Sequence, residues 1–231
     1  MNPTLLPKHV AFVLKYQKDP LKALVMFNSV KKEDGFKHTL LTYWCMIEKL
    51  GFHSEFEAIE NVVMEIRMNV DNSLLEGVSI VAMRKYGRKG KVHNAVDVFE
   101  RMDLHNYEPS VLSSNAIMNI LVKKGALDGA INLLDSVNGE GLSPDVVTYN
   151  TLIYGLCKNS KVVEAVNYLH KMLNKGLEPD GFTYNPIIDG YCKIDMTQEA
   201  DKILNDAIFK GFVPDEFTHC SLINGYSRTV T

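Results

Sequence analysis

The chain has 231 residues, a net charge of −3 from 25 Lys+Arg against 28 Asp+Glu, and 46% hydrophobic residues. With 23% charged residues, 15 glycines and 8 prolines, the composition excludes a disordered, collagenous or low-complexity chain. No apolar run approaches the ~20 residues that span a bilayer, so no membrane association is expected. The slightly acidic balance excludes a protein that holds nucleic acid by bulk charge alone.

At the N-terminus, Met1–Val10 has neither a secretory apolar core nor the Arg- and Ser-rich character of an organelle transit peptide. The C-terminal Ser227–Thr231 stops soon after a helical pattern begins, so both ends read as cut. Cys45, Cys157, Cys192 and Cys220 match no zinc or disulfide spacing. They are expected to be reduced, buried, small apolar residues. No Gly-rich phosphate loop, metal-ligand spacing or nucleophile motif is present, so neither cofactor nor catalysis is expected.

The sequence repeats itself every 35 residues. Pro109, Pro144, Pro179 and Pro214 keep that interval, as do Ala95, Ala130, Ala165 and Ala200. Asn115, Asn150 and Asn185 follow suit, with Asp145, Asp180 and Asp215, and with Gly141, Gly176 and Gly211. The first unit, 5–39, is recognisable through Ala23-Leu24 and Gly35. Unit 40–75 sets Thr42-Tyr43-Trp44 where Thr148-Tyr149-Asn150 stands later, and unit 76–110 has Ile80 at the Asn position. Three full units follow, 111–145, 146–180 and 181–215, and then the partial unit 216–231.

Each unit reads as a helical hairpin. In 146–180, Tyr149, Leu152, Ile153 and Leu156 keep the i, i+3, i+4, i+7 period of a buried helix face. Lys158–Lys161 breaks the pattern. Val162, Ala165, Val166, Leu169, Met172 and Leu173 then form a second stripe, closed by Gly176 and Pro179. The recurring Ala lets the two helices approach closely, and Cys157 and Cys192 share one packing position. A lone hairpin buries too little surface to be stable, so the expected fold is an all-α solenoid of stacked hairpins.

Pro144–Lys158 and Glu178–Lys193 resemble the pentatricopeptide repeat, a likeness that is firm from about Glu76 onward and looser before it. The resemblance implies a right-handed α-solenoid of P-class repeats that binds single-stranded RNA, one base per repeat. It further implies a role in transcript processing, stability or translation beside other RNA-processing proteins, in a plant mitochondrion or alternatively a chloroplast. In the family rule, the fifth and last residues of a unit read one base. On that rule Asn115 with Asp145, Asn150 with Asp180, and Asn185 with Asp215 each prefer uridine, then cytidine, and together read a short U-rich tract. Leu112, Val147, Phe182 and Phe217, second in their units, would clamp bases. Ile80/Ser110 and Trp44/Leu75 do not fit the rule, and Cys220 has no last-position partner.

Helical geometry can be set beside the resemblance. Stepping 100° per residue from Tyr149 puts Asn150 at roughly +100° and Lys158 at roughly +180°, both off the buried stripe. Arg88, Lys123, Lys158, Lys193 and Arg228 form a cationic row suited to phosphates. The same row also complements the negative ends of the helices. An Asn amide offers a donor and an acceptor to an unpaired base, and an Asp ahead of a helix also serves as a cap. A groove between hairpins fits a peptide as well as RNA, so a protein-interaction scaffold, or a fragment without RNA binding, is the competing expectation. Terminal units without polar caps are expected to self-associate.

Overall fold

The computed structural model describes residues 6–69, 72–103, 109–139 and 142–229. Leu5, Gly141 and Thr231, named in the units above, lie outside the described residues. The chain forms α1 (Pro7–Tyr16), α2 (Pro20–Val30), α3 (Leu40–His53), α4 (Phe56–Asn69), α5 (Asn72–Arg88), α6 (Val92–Asp103) and α7 (Val111–Lys123). It continues with α8 (Leu127–Gly139), α9 (Val146–Lys158), α10 (Val162–Asn174), α11 (Gly181–Lys193), α12 (Thr197–Phe209) and α13 (Glu216–Thr229). Among the described residues there is no strand.

Two compact units meet between Ile120 and Leu121, inside α7. In the first, α1, α3 and α5 lie side by side and α2, α4 and α6 pack on them. In the second, α9, α11 and α13 form the row, backed by α8, α10 and α12. Each unit is therefore a stack of helical hairpins, the α-solenoid architecture.

Local chemistry sets the helix limits. A proline disfavours helical backbone at the residue before it, and Pro109, Pro144, Pro179 and Pro214 each stand two residues ahead of a first helix. Leu74 occupies the corresponding place before Glu76. Without that stop, α5 starts at Asn72, ahead of the Glu76 boundary read from the repeat. At the far end of α10, Gly176 takes φ +72°, its N–H reaching the Leu173 carbonyl at 2.9 Å and that of Leu177 reaching Met172 at 3.2 Å. This left-handed closure satisfies carbonyls that the helix leaves open. From α3 to α11, a second left-handed residue turns each first helix into its partner: Ser54, Gly90, Gly125, Ser160 and Asp195.

The recurring Ala23, Ala95, Ala130, Ala165 and Ala200 are fully buried. Closer still is the approach between successive first helices, where one side of the contact carries no side chain. A Cβ on Gly155 would stand 2.6 Å from Val122 Cγ1, and one on Gly225 would stand 2.9 Å from Cys192 Sγ. Gly190 faces Cys157 and Val162 in the same way. In the first unit the roles reverse, with Gly51 beneath the Lys85 stem and Gly87 beneath Ile120. Every junction from α3 onward thus holds a glycine near the end of one first helix, and that glycine changes sides at α7; the α3–α5 junction holds a second, Gly77 of α5 against Leu40.

Gly155→Ala is expected to cost about 1–3 kcal/mol through overpacking. In a double-mutant cycle followed by urea unfolding, that cost should shrink when Val122 is already Gly. Strict additivity would contradict the contact.

Candidate nucleic-acid interface

The first helices of the second unit begin with one motif, Asp-x-x-Thr. Asp145 accepts the Thr148 N–H at 2.9 Å while the Asp145 N–H donates to Thr148 Oγ1 at 3.2 Å. Asp180 and Thr183 repeat this reciprocal box at 3.1 Å each way, and Asp215 and Thr218 at 2.9 and 3.1 Å. Two open N–H groups are satisfied at each start, and a carboxylate meets the positive end of the helix. The Asp215 carboxyl is held below its ordinary value of 3.8, first by the backbone N–H and hydroxyl of Thr218, then by the Asn185 amide.

Capping leaves the carboxylates with acceptor capacity, and the asparagines use it. Asn150 Nδ2 donates to Asp180 Oδ1 at 2.9 Å, and Asn150 Oδ1 accepts the Thr183 hydroxyl at 2.6 Å. Thirty-five residues on, Asn185 Nδ2 donates to Asp215 Oδ2 at 3.0 Å and Asn185 Oδ1 accepts the Thr218 hydroxyl at 2.7 Å. The fifth and last residues of each of these repeats are therefore in direct contact. A carboxylate only accepts, so the NH2 end of each amide must face it. One N–H and one carbonyl lone pair of Asn150, and Asp180 Oδ2, have no hydrogen-bond partner among the described residues. Asn115 is half-buried on α7 in the first compact unit, while Asp145 caps α9 in the second.

The amides are more enclosed than the helical wheel implies: Asn185 is only 9% exposed. The start of the next first helix lies over them, a neighbour that a single-helix projection omits. At the second position the reverse holds. Leu112, Val147 and Phe217 are exposed and Phe182 is 79% exposed, so these side chains are not consumed by packing between repeats.

The cationic row is partly neutralised. Lys193 pairs with Asp189 at 2.5 Å. Arg228 reaches Asp195 at 3.5 Å and the Cys192 carbonyl at 2.5 Å, and Arg88 lies 3.9 Å from Glu48. Lys123 and Lys158 are exposed, and no carboxylate pairs with either among the described residues. Sequence reasoning missed these carboxylates, which come from neighbouring turns or helices. It also passed over Thr148, Thr183 and Thr218, although they keep the same 35-residue interval.

Ile80 and Leu75 are buried, so unit 76–110 and the end of unit 40–75 present no reading side chains there. Ser110 instead donates to Glu76. Of the cysteines, Cys45, Cys157 and Cys192 are buried, whereas Cys220 is exposed, contrary to the expectation of four buried thiols. Cys220 stands at the fifth position of the partial unit. Among the described residues no helix is long and apolar enough to cross a membrane, and no three His, Cys, Asp or Glu side chains are grouped to hold a metal ion.

Stacked hairpins, with an Asn–Asp–Thr cluster at the α9–α11 and α11–α13 seams, define an α-solenoid repeat protein. The chain belongs to the pentatricopeptide repeat family: residues 109–158, 144–193 and 182–228 match the PPR repeat family, and 80–124 match the pentatricopeptide repeat domain. A pentatricopeptide repeat-containing protein of Arabidopsis thaliana is 62% identical over 122 residues, 53% of this chain and 16% of that protein. Another from the same plant, named as mitochondrial, is 30% identical over 112 residues, 47% of this chain and 23% of that protein. The chain thus spans under a quarter of the length of these curated relatives. Among solved structures, the maize pentatricopeptide repeat protein PPR10 matches with a TM-score of 0.60 at 22% identity, over 98% of this chain and 37% of that one. The pentatricopeptide repeat domain of Arabidopsis thaliana protein-only RNase P 1, in complex with tRNA, matches at 0.62 and 12% identity, over 78% of this chain and 95% of that one.

Two outcomes follow from the site. Because the Asp215 pKa is depressed on folding, its contribution to the α13 cap is complete above the ordinary carboxylate value and lost as pH falls through the depressed one. The protection factor of the Thr218 amide, its exchange rate set against the intrinsic rate at the same pH, should therefore fall only in that acidic window; a fall near neutrality would contradict the cap. Burial, with Asp189 nearby, pushes the Cys157 thiol up to about 12, and burial also raises Cys45 and Cys192. Thiolate is the reactive form, so a thiol reagent at neutral pH should modify Cys220 ahead of the other three. Equal labelling of all four would contradict the burial.

Proposed function

We propose that the chain is a non-catalytic module that binds single-stranded RNA through successive Asn–Asp pairs, reading a short U-rich tract. The observation that carries this is the direct bond between fifth and last residues, Asn150 to Asp180 and Asn185 to Asp215. Asn150 and Asp180 retain a free donor beside a free acceptor. Uracil presents an N3–H donor flanked by carbonyl acceptors, which such a pair complements. Exposed Phe182 and Phe217 next to the pairs supply faces on which bases stack, worth about 1–3 kcal/mol per base. Lys123 and Lys158 are available to phosphates.

RNA-bound relatives support the reading. Maize PPR10 has been solved with an 18-nt psaJ RNA element, at a TM-score of 0.57 to this chain. The uniform 35-residue spacing supports P-class repeats. Work in organelle transcript processing, stability or translation, in a mitochondrion rather than a chloroplast, is supported by relatives named as mitochondrial. Self-association has support in the exposed Phe209, Val213 and Ile223 near the last helices.

Filter binding to U-rich single-stranded RNA at two salt concentrations tests the proposal. Binding should weaken with salt, and Asn150→Ala combined with Asn185→Ala should lower affinity by about tenfold or more, one neutral hydrogen-bonding group per repeat. Indifference to RNA at low salt would favour a peptide-binding scaffold.

A further inference from the structure

Beneath the Asn150 and Asn185 amides lie hydroxyls that RNA cannot touch. Thr183 and Thr218 are completely buried. A hydroxyl has one proton and two lone pairs, so each has a single donation to make. Thr183 Oγ1 accepts the Asp180 N–H at 3.1 Å, and its proton has two candidate acceptors, Asn150 Oδ1 at 2.6 Å and Asp180 Oδ1 at 3.2 Å. For Thr218 the same choice stands at 2.7 Å to Asn185 and 2.9 Å to Asp215. In both cases the nearer acceptor is the amide of the preceding repeat.

The chain holds its own comparison. Ser113 and Thr42 occupy the same third position, but the units before them have Ile80 and His9 where the Asn would stand. There the hydroxyl donates within its own turn: Ser113 Oγ to the Ser110 carbonyl at 3.0 Å, and Thr42 Oγ1 to the Thr39 carbonyl at 2.8 Å. At these two starts, where the preceding unit has no asparagine, the hydroxyl turns to its own helix start.

We propose, on the footing of the base-reading function above, that Thr183 and Thr218 are positioning residues that set base selectivity by pinning the carbonyl end of the preceding repeat's Asn amide. The carboxylate holds the NH2 end and fixes which way the amide faces, yet one bond alone lets the amide swing about it. The hydroxyl closes the second end. The remaining N–H and lone pair then point in one fixed direction beside the carboxylate. Each nucleotide is accordingly read by two repeats, through Asn and Asp from one and a threonine from the next.

The test uses the full chain and adenosine-flanked single-stranded RNA with three core uridines, alongside probes in which each uridine in turn is cytidine. Thr183→Val removes the proton at nearly constant shape, and Thr183→Ser keeps it. By fluorescence anisotropy at low salt, Thr183→Val should shrink the uridine preference about fivefold at one core position and leave the other two. Thr218→Val should do so at the adjacent position, and both Ser variants should retain the unmodified selectivity. Equal loss on every probe, or unchanged ratios throughout, would overturn the proposal by leaving the threonines a purely structural role. An unmodified chain that binds no probe removes the base-reading function and this role with it. The pinning also has a readout free of RNA: the Asn150 side-chain amide resonances should move in Thr183→Val and stay in Thr183→Ser. Unmoved resonances in the Val variant overturn the pinning even where RNA binds.

Discussion

Successive first helices pack with a side chain of one set directly against a glycine of the other, which leaves no room there for a second side chain. Packed helices ordinarily stand 8–10 Å apart, according to the side chains between them. Gly51, Gly87, Gly155, Gly190 and Gly225 let the first helices draw closer. That approach brings the fifth residue of one repeat within hydrogen-bond reach of the Asp that ends it and of the Thr near the start of the next. A wider seam would leave Asn150 and Asp180 out of contact.

The aspartates serve two ends with one charge. As caps they satisfy N–H groups that their helices leave open, and the positive helix end in turn favours the ionised carboxylate. As partners of Asn150 and Asn185 they present the same charge at the seam. Recognition of the kind proposed would depend on directed bonds more than on attraction between net charges. That accords with a chain of net charge −3 whose cationic row is met by Glu48, Asp189 and Asp195.

Periodicity made much of the fold readable. The apolar stripes of 146–180 and the Ala column depend only on residues within one hairpin, and both face the core as the spacing implies. What depends on a neighbouring hairpin was not readable. The enclosure of Asn185, the Asp195 carboxylate beside Arg228 and the second acceptor beside each buried threonine hydroxyl come from groups brought near by stacking, whereas Asp189 stands four residues before Lys193 on the same helix and was open to reading. Cys220 shows the same limit from the other side. It shares a column with three asparagines, yet nothing in that column says whether a following helix covers it. The early start of α5 could have been read from Leu74, where later units have proline.

The change of side at α7 makes that hairpin an adaptor. Ile120 rests on Gly87 behind it, and Val122 rests on Gly155 ahead of it, so α7 is bulky toward both neighbours. Excising unit 111–145 by recombination would set Gly87 opposite Gly155 and leave a void. Duplicating it in tandem would press Val122 against a second Ile120. An array that looks modular in sequence is therefore restricted in how it can lengthen or shorten, because its seams come in two complementary kinds.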